Sequence, residues 1–489
     1  MSDSTFGKKY SSVVIRDAIL IDGRGKPPYG PVDIVIEGDT IMDILPVDPI
    51  SLKRYPEGWS RPDGEMVIDA TNMYVTPGLV DMHAHIPFDE VLCGPMGPEY
   101  AYKLWLAHGV TTVRTCGFGT DEKLIEHRRM SKENRIVAPR LVVLGSWPAT
   151  VTTPQEAREE VHRLHALGVD GIKVIPRPHV GEDVLHAMAE ELRNLGMKAG
   201  IAIHIPQNSV IDALKASDAG GDRITIEHTY GIPQAAIPGT QSFPPDYNYN
   251  NEIDRFRWSG HVWMEADRYP ERVLNVLDAM IANGTTWDPT MVVYEINREL
   301  ELVKGRRWHE RFTLPSLLEH WRPTPEHHAS YHFNWKTSDE VAWKGKYRIW
   351  MRYLKTFFDR GGRITVGSDA GFMYALYGFS TIRELELLQE TGFHPIDIIK
   401  MATTNAAKAM GQDRLTGGIR KGSAADLAII NGNPLDNFKV MYGSGLERYS
   451  EDKTEVVRGG GVKWTIKDGV VFDTKAILWD LEEYVEGMK

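Results

Sequence analysis

Apolar and polar residues alternate from about residue 12 to residue 76 in short runs separated by turn residues: SSVVIRDAILIDG, VDIVIEGDTIMDILP and EMVIDATNMYVTP. Side chains on a strand point to opposite faces in turn, so this period-two texture predicts short strands of a small β unit. The texture returns near the other end in DLAIING and EVVRGGGVKWTIKDGVVF, which predicts a small β-sandwich domain built by both termini, 1–77 and 415–489. The middle follows another rhythm. Eight short apolar runs, at 79–85, 110–115, 141–145, 171–175, 199–205, 223–228, 285–290 and 363–369, alternate with helical patterns such as 154–167, 182–195 and 271–283. Each of those helices is followed by a glycine (Gly168, Gly196, Gly284), the residue a left-handed C-cap favours. Eight such alternations predict an α/β fold with a (β/α)8 barrel over 78–414. A doubly wound sheet is the runner-up, and the lack of GxGxxG after the first strand weakens it.

Residues able to bind metal stand at the ends of these runs. His83 and His85 lie two apart on the first strand, so both imidazoles face the same way. Lys173 lies in GIKVIP, His204 ends AGIAIH, His228 ends ITIEH and Asp369 ends ITVGSD. Barrel active sites form where the C-terminal ends of the strands converge, and every one of these residues falls there. Imidazoles and a carboxylate suit Zn2+ or a similar divalent ion. A lysine inside an apolar strand must be neutral, paired or modified, for instance by adding CO2 to form a carbamate, unless it simply reaches out to the barrel mouth. The two cysteines, Cys93 and Cys116, cannot make a disulfide framework or a four-thiolate site, which leaves nitrogen and oxygen ligands.

Composition narrows the class. With 489 residues, 42% hydrophobic and 25% charged, the chain reads as globular and enzyme-sized. A net charge of −11 without a basic run argues against nucleic acid or anionic lipid as partner. The N-terminus lacks a signal-like apolar core and no stretch reaches the ~20 apolar residues of a membrane span, so the expected location is cytoplasmic. Two long aromatic-rich insertions, at about 231–270 and 295–344, are expected to act as lids or as contacts of a homo-oligomer. An aromatic cover favours a small-molecule substrate with an apolar or aromatic portion. His309, His320, His327, His328 and His332 fall in the second insertion; their irregular spacing favours packing over a second metal site.

Taken in order, HxH, Lys, His, His and Asp, with PGLVDMHAH, GVTTVR, DGIKVI, GSDAG, TTNAAKAMG and GIRKGSAADLAIINGNP, resemble the amidohydrolase superfamily in its imidazolonepropionase-like and prolidase-like branch. The resemblance covers nearly the whole chain. It implies two divalent ions, with His83, His85 and Asp369 on one, His204 and His228 on the other, and N6-carboxylysine at Lys173 plus a hydroxide bridging them. It also implies hydrolysis of an amide-type C–N bond, non-peptide or in an N-acyl amino acid or dipeptide, with Asp369 as general acid and base. Dipeptidases of this branch carry a TGGH-like loop after strand three, where this chain reads SWPATVTTP. Arg177 and His179 after strand four are candidate anion binders or simply solvated, and Tyr230 and Tyr294 are candidate substrate contacts. The usual VRD-type ending of strand two is Val113-Arg114-Thr115-Cys116. Alternatives are a lactone or carbamate hydrolase, or a deaminase of a cyclic amidine or aminopurine. Deaminase relatives place a glutamate where this chain has Gln207. A binding protein on a degenerate barrel would have lost ligands, and none is lost.

Overall fold

The period-two alternation at both chain ends becomes one mixed nine-stranded sheet in the computed structural model, which describes residues 6–54, 60–88, 94–117, 120–239, 243, 245–248, 251–324, 331–450 and 452–489. Across the sheet the order is Gly7–Lys9, Val470–Asp473, Gly461–Lys467, Leu427–Asn431, Tyr74–Pro77, Ser12–Leu20, Tyr29–Glu37 and Thr40–Pro46, with Met66–Asp69 also paired to Ser12–Leu20. Antiparallel pairing of Leu427–Asn431 with Tyr74–Pro77 joins the C-terminal strands to the N-terminal ones. Val13, Ile15, Ile34, Ile36, Leu427, Ile429 and Ile466 share one apolar core, as alternation requires. After the last strand the chain turns helical, Thr474–Glu486, with Asp473 capping Lys475 and Ala476 N–H. This helix packs on Pro98–Ala107 through the Lys103–Asp480 ion pair at 3.0 Å.

Eight parallel strands form the second sheet, each beside its neighbour in sequence: Leu79–Ala84, Val110–Cys116, Arg140–Ser146, Gly171–Val174, Ile201–Ile203, Ile224–Glu227, Thr286–Asp288 and Arg363–Ile364. The last closes on the first through Met82 N–H to the Val366 carbonyl at 2.8 Å and Asp369 N–H to the His83 carbonyl at 2.7 Å. All eight predicted strands are present and the sheet is a (β/α)8 barrel. Several end earlier than the apolar runs predict, and the backbone explains it. His228 (φ 65°), Thr290 (φ 46°) and Asp369 (φ 52°) are left-handed, a conformation no strand continues through. Non-glycine residues held this way gather at functional sites because the surrounding fold must offset their strain.

Both insertions are largely helical rather than loop-like. The first carries Ile232–Ala236 and Glu252–Ala266; the second lies among Met291–Arg298, Leu300–Lys304, Arg307–Phe312, Pro315–His320 and Thr337–Asp359. Their aromatic residues supply core: Trp263, Trp321 and Trp343 are fully buried, as are Tyr347 and Trp350 further along the helix that ends the second insertion. The inserted histidines do not converge. His309 Nδ1 pairs with Thr313 Oγ1 at 2.9 Å and His332 Nε2 with Asn297 Oδ1 at 2.7 Å, and burial pulls both pKa values down to about 3. Among the described residues no metal-ligand group includes either, or His320. His327, His328 and Cys93 lie outside the described residues. Cys116 is buried, and no described helix is long and apolar enough to cross a membrane.

Candidate metal centre

Strand ends deliver the six predicted ligands to the floor of one cavity of about 460 Å3, whose lining includes His83, His85, Lys173, His204, His228 and Asp369. His85 Nε2 is 2.9 Å from Asp369 Oδ1, His83 Nε2 is 3.5 Å from the same oxygen, and His228 Nδ1 is 3.8 Å from Asp369 Oδ2. Lys173 Nζ stands 3.4 Å from His83 Nε2, and the His204 and His228 rings are 4.4 Å apart. His83, His228 and Asp369 each offer a ligand atom, all within 4.8 Å of one another, which is the compactness one ion needs.

Charge in the cluster fits a cation. Burial pulls His85 down to about 4 and His228 well below its ordinary value, so both present neutral nitrogen, the form that binds metal. Burial also pulls His83 down, but negative charge on Cys116, Asp369 and Glu227 raises it to about 10. Burial raises Asp369, and the imidazoles of His83, His85 and His228 outweigh it, holding the carboxylate well below its usual range.

Four buried residues set the ligands' orientation. Glu227 accepts from His83 Nδ1 at 2.5 Å, leaving Nε2 to face the cavity, and from Arg114 Nη2 at 2.8 Å. Arg114 in turn donates to the Met82 carbonyl and to Thr225 Oγ1, so strands one, two and six meet at one guanidinium. Thr290 gives its hydroxyl proton to the Pro289 carbonyl at 2.8 Å, so its oxygen accepts from His228 Nδ1 at 2.6 Å and leaves that Nε2 free for a metal. Asp81 accepts from Ser368 N–H, Ser368 Oγ, Thr381 Oγ1 and Trp105 Nε1 and so fixes the backbone just before Asp369. His83, Cys116 and Glu227 also lie within 4.8 Å of one another, but Glu227 is committed to Arg114, Thr225 and His83 Nδ1. None of these orienting roles was read from the sequence. The visible signals were a glutamate inside the apolar run ITIEH and an arginine inside VTTVRTC, a strand buried throughout.

The upper wall is aromatic, with Tyr230, Phe256, Tyr294, Tyr331 and Phe372, and its charged lining residues there are Arg177 and Arg255. Arg177 is exposed at the rim. His179 is not among the residues lining the cavity; its Nε2 meets the Ala149 carbonyl at 3.1 Å, and the side chain is exposed. Gln207 Nε2 donates to the Arg255 carbonyl at 3.1 Å and so anchors the inserted helix Glu252–Ala266 to the barrel mouth.

Residues 74–471 match the family model described as Amidohydrolase family. The chain belongs to that family. Among curated relatives it is similar to a dihydroorotase of Geobacter sulfurreducens, 24% identical over 169 residues, covering 32% of this chain and 37% of the relative. A dihydroorotase of Bacillus licheniformis is 35% identical over 74 residues, 15% of this chain and 14% of its own. The chain thus spans little more than a third, at most, of the length of the curated relatives it matches. Among solved structures, a bottromycin amidohydrolase superposes with a TM-score of 0.68 at 19% identity over 98% of this chain and 91% of that one. A Xaa-Pro dipeptidase with bound methionine gives 0.61 at 21% identity over 95% and 100%. At such identities these two structures speak for the amidohydrolase barrel alone.

Proposed function

We propose that this amidohydrolase is a metal-dependent hydrolase of an amide-type C–N bond in a small molecule with an apolar or aromatic portion, N-acyl amino acids being the leading class and dipeptides the next. The observation that carries it is the gathering of His83, His228 and Asp369 within ligand distance at the floor of a cavity walled by tyrosine and phenylalanine. His83, His85 and Asp369 would hold one divalent ion, most simply Zn2+, and His204 and His228 a second. A carbamate on Lys173 would give the anionic two-oxygen bridge between them. Divalent ions held there would lower the pKa of water and polarise a carbonyl.

The chain's own residues supply the rest. Glu227 and Thr290 keep Nε2 of His83 and His228 directed at the cavity, so the ligand atoms need no reorganisation. Asp369, ionised at neutral pH, takes the proton of the attacking water on its carboxylate and returns it to the departing nitrogen. Tyr230, Phe256, Tyr294, Tyr331 and Phe372 enclose the apolar part of the substrate, and Arg177 with Arg255 favours a substrate carrying an anionic group. Both rim charges support N-acyl amino acids and dipeptides over neutral amides. Names of the neighbours, an amidohydrolase and a Xaa-Pro dipeptidase, lean the same way.

The test is turnover of N-benzoyl and N-acetyl amino acids, dipeptides, neutral amides, lactones and aminopurines by metal-loaded protein, with Asp369→Asn alongside. N-acyl amino acids should be hydrolysed, and Asp369→Asn should keep metal while kcat falls about 10²–10⁴-fold. Turnover confined to aminopurines would replace the proposal with a deaminase, and an Asp369→Asn protein at full speed would remove that carboxylate from the proton path.

A further inference from the structure

Outside the candidate metal cluster, one described lysine is buried with no carboxylate of the described residues in ion-pair reach. Lys346, on the inserted helix Thr337–Asp359, is 0% exposed, and among the described residues no carboxylate lies within ion-pair distance of it. Burial alone pushes its pKa well below the ordinary lysine value. Its Nζ donates to Ser259 Oγ at 2.5 Å and sits over four rings: Trp343 at 3.7 Å, Tyr230 at 5.3 Å, and Tyr294 and Trp350 at 5.7 Å. An aromatic box of this kind attracts a cation, and here the chain's own amine fills it.

Two of those rings belong to the cavity wall. Tyr230 stacks on His204 with centroids 5.7 Å apart and planes 6° from parallel, while Tyr294 meets His228 edge-on at 5.5 Å. Tyr294 also meets Tyr230 edge-on, with ring centroids 5.9 Å apart. Ser259, the amine's acceptor, lies on the helix Glu252–Ala266 that brings Arg255 and Phe256 to the same cavity. One amine thus touches the tyrosines beside two candidate ligands and the helix that covers them.

We propose that Lys346 is a positioning residue: its amine holds Tyr230 and Tyr294 against His204 and His228 and ties the inserted helix to them, so that the cavity wall is set before substrate enters. The catalytic part rests on the reading of this cavity as the active site. Packing alone would be served better by an apolar side chain of similar volume, since a buried unpaired amine costs stability that methionine would not. Breaks of this rule are expected where function requires them.

The experiment compares the full-length, metal-loaded protein with Lys346→Met and with Ser259→Ala, which deletes the amine's acceptor and leaves the box intact. Three readouts are taken: thermal midpoint, the 19F spectrum of 3-fluorotyrosine-labelled protein with Tyr230 and Tyr294 signals identified by Tyr→Phe substitution, and kcat and KM on an N-benzoyl amino acid. Lys346→Met should keep or raise the midpoint and move or broaden both tyrosine signals. Its kcat should fall roughly 10–10²-fold, because misplacement of a cavity wall by about 1 Å costs on that order. Ser259→Ala should move the same signals less, and it decides the matter if Lys346→Met does not fold. Tyrosine signals left at their wild-type positions overturn the proposal. So does a lowered midpoint with kcat and KM unchanged, the signature of a structural lysine. If the wild type hydrolyses no amide, the proposed function fails while the 19F spectra still decide whether Lys346 places the tyrosines.

Discussion

Replacing Glu227 by glutamine changes one atom and breaks two interactions. The Arg114 guanidinium is fully buried and Glu227 is its ion-pair partner at 2.8 Å, so the neutral amide leaves a buried cation uncompensated. Breaking a buried pair from one side costs about 3–5 kcal/mol. Three donors converge on the carboxylate, from His83, Arg114 and Thr225, and glutamine has one oxygen to offer them. Its NH2 must then face another donor, which adds to the cost and turns the His83 ring. Loss of such a partner weakens metal binding about 10–100-fold. Urea unfolding of the metal-free protein reads the first quantity, and competition with a chelator reads the second. A double variant, Glu227→Gln with Arg114→Met, removes the stranded cation, so stability should largely return while metal affinity stays weak. If Glu227→Gln unfolds within about 1 kcal/mol of wild type and binds metal equally well, the Arg114–Glu227–His83 chain does not do what its geometry implies.

Two further outcomes follow from the same reasoning. Glu295 is buried between Arg306 and Arg383; burial raises its pKa, the two guanidinium groups outweigh it, and it is drawn down to about 2 from an unfolded value near 4.5. A depressed carboxylate stabilises the fold above its unfolded pKa and loses that contribution as pH falls through the folded one, so Glu295→Gln should cost about 3 kcal/mol at pH 7 and progressively less between about pH 4.5 and pH 2, read by urea unfolding across that range. Lys173→Arg keeps a cation but cannot form a carbamate, so turnover should be lost, whereas Lys173→Ala should be partly restored by short carboxylates; wild-type turnover in Lys173→Arg would refute the carbamate.

The residues that gather in the cavity were legible as candidates because two local signals coincide there, an apolar run meeting the barrel mouth and a residue type able to bind metal. His83, His85, Lys173, His204, His228 and Asp369 all carry both. Strand lengths were less legible, since His228 and Asp369 take a left-handed φ that ends their strands and that residue type does not announce. The orienting layer is non-local: Arg114 and Glu227 stand 113 positions apart, and nothing in either segment names the other. The length of the insertions suggested loops, but Ile253, Phe256 and Trp263 lie on one helical face of Glu252–Ala266 that packs against the core, and burial there favours a helix. The C-terminal helix was hidden for a similar reason, because TKAILWDLEEYVE follows directly on strands whose period-two pattern dominates the region.

The most direct measurement of the central claim is turnover of an N-benzoyl amino acid against metal content in one preparation, followed through exhaustive chelation and stepwise return of Zn2+. Two ions per chain in the active protein, loss of turnover as they leave and its recovery as the second is restored are the outcomes expected of a centre built by His83, His85, Lys173, His204, His228 and Asp369. Full turnover in protein stripped of metal would contradict it.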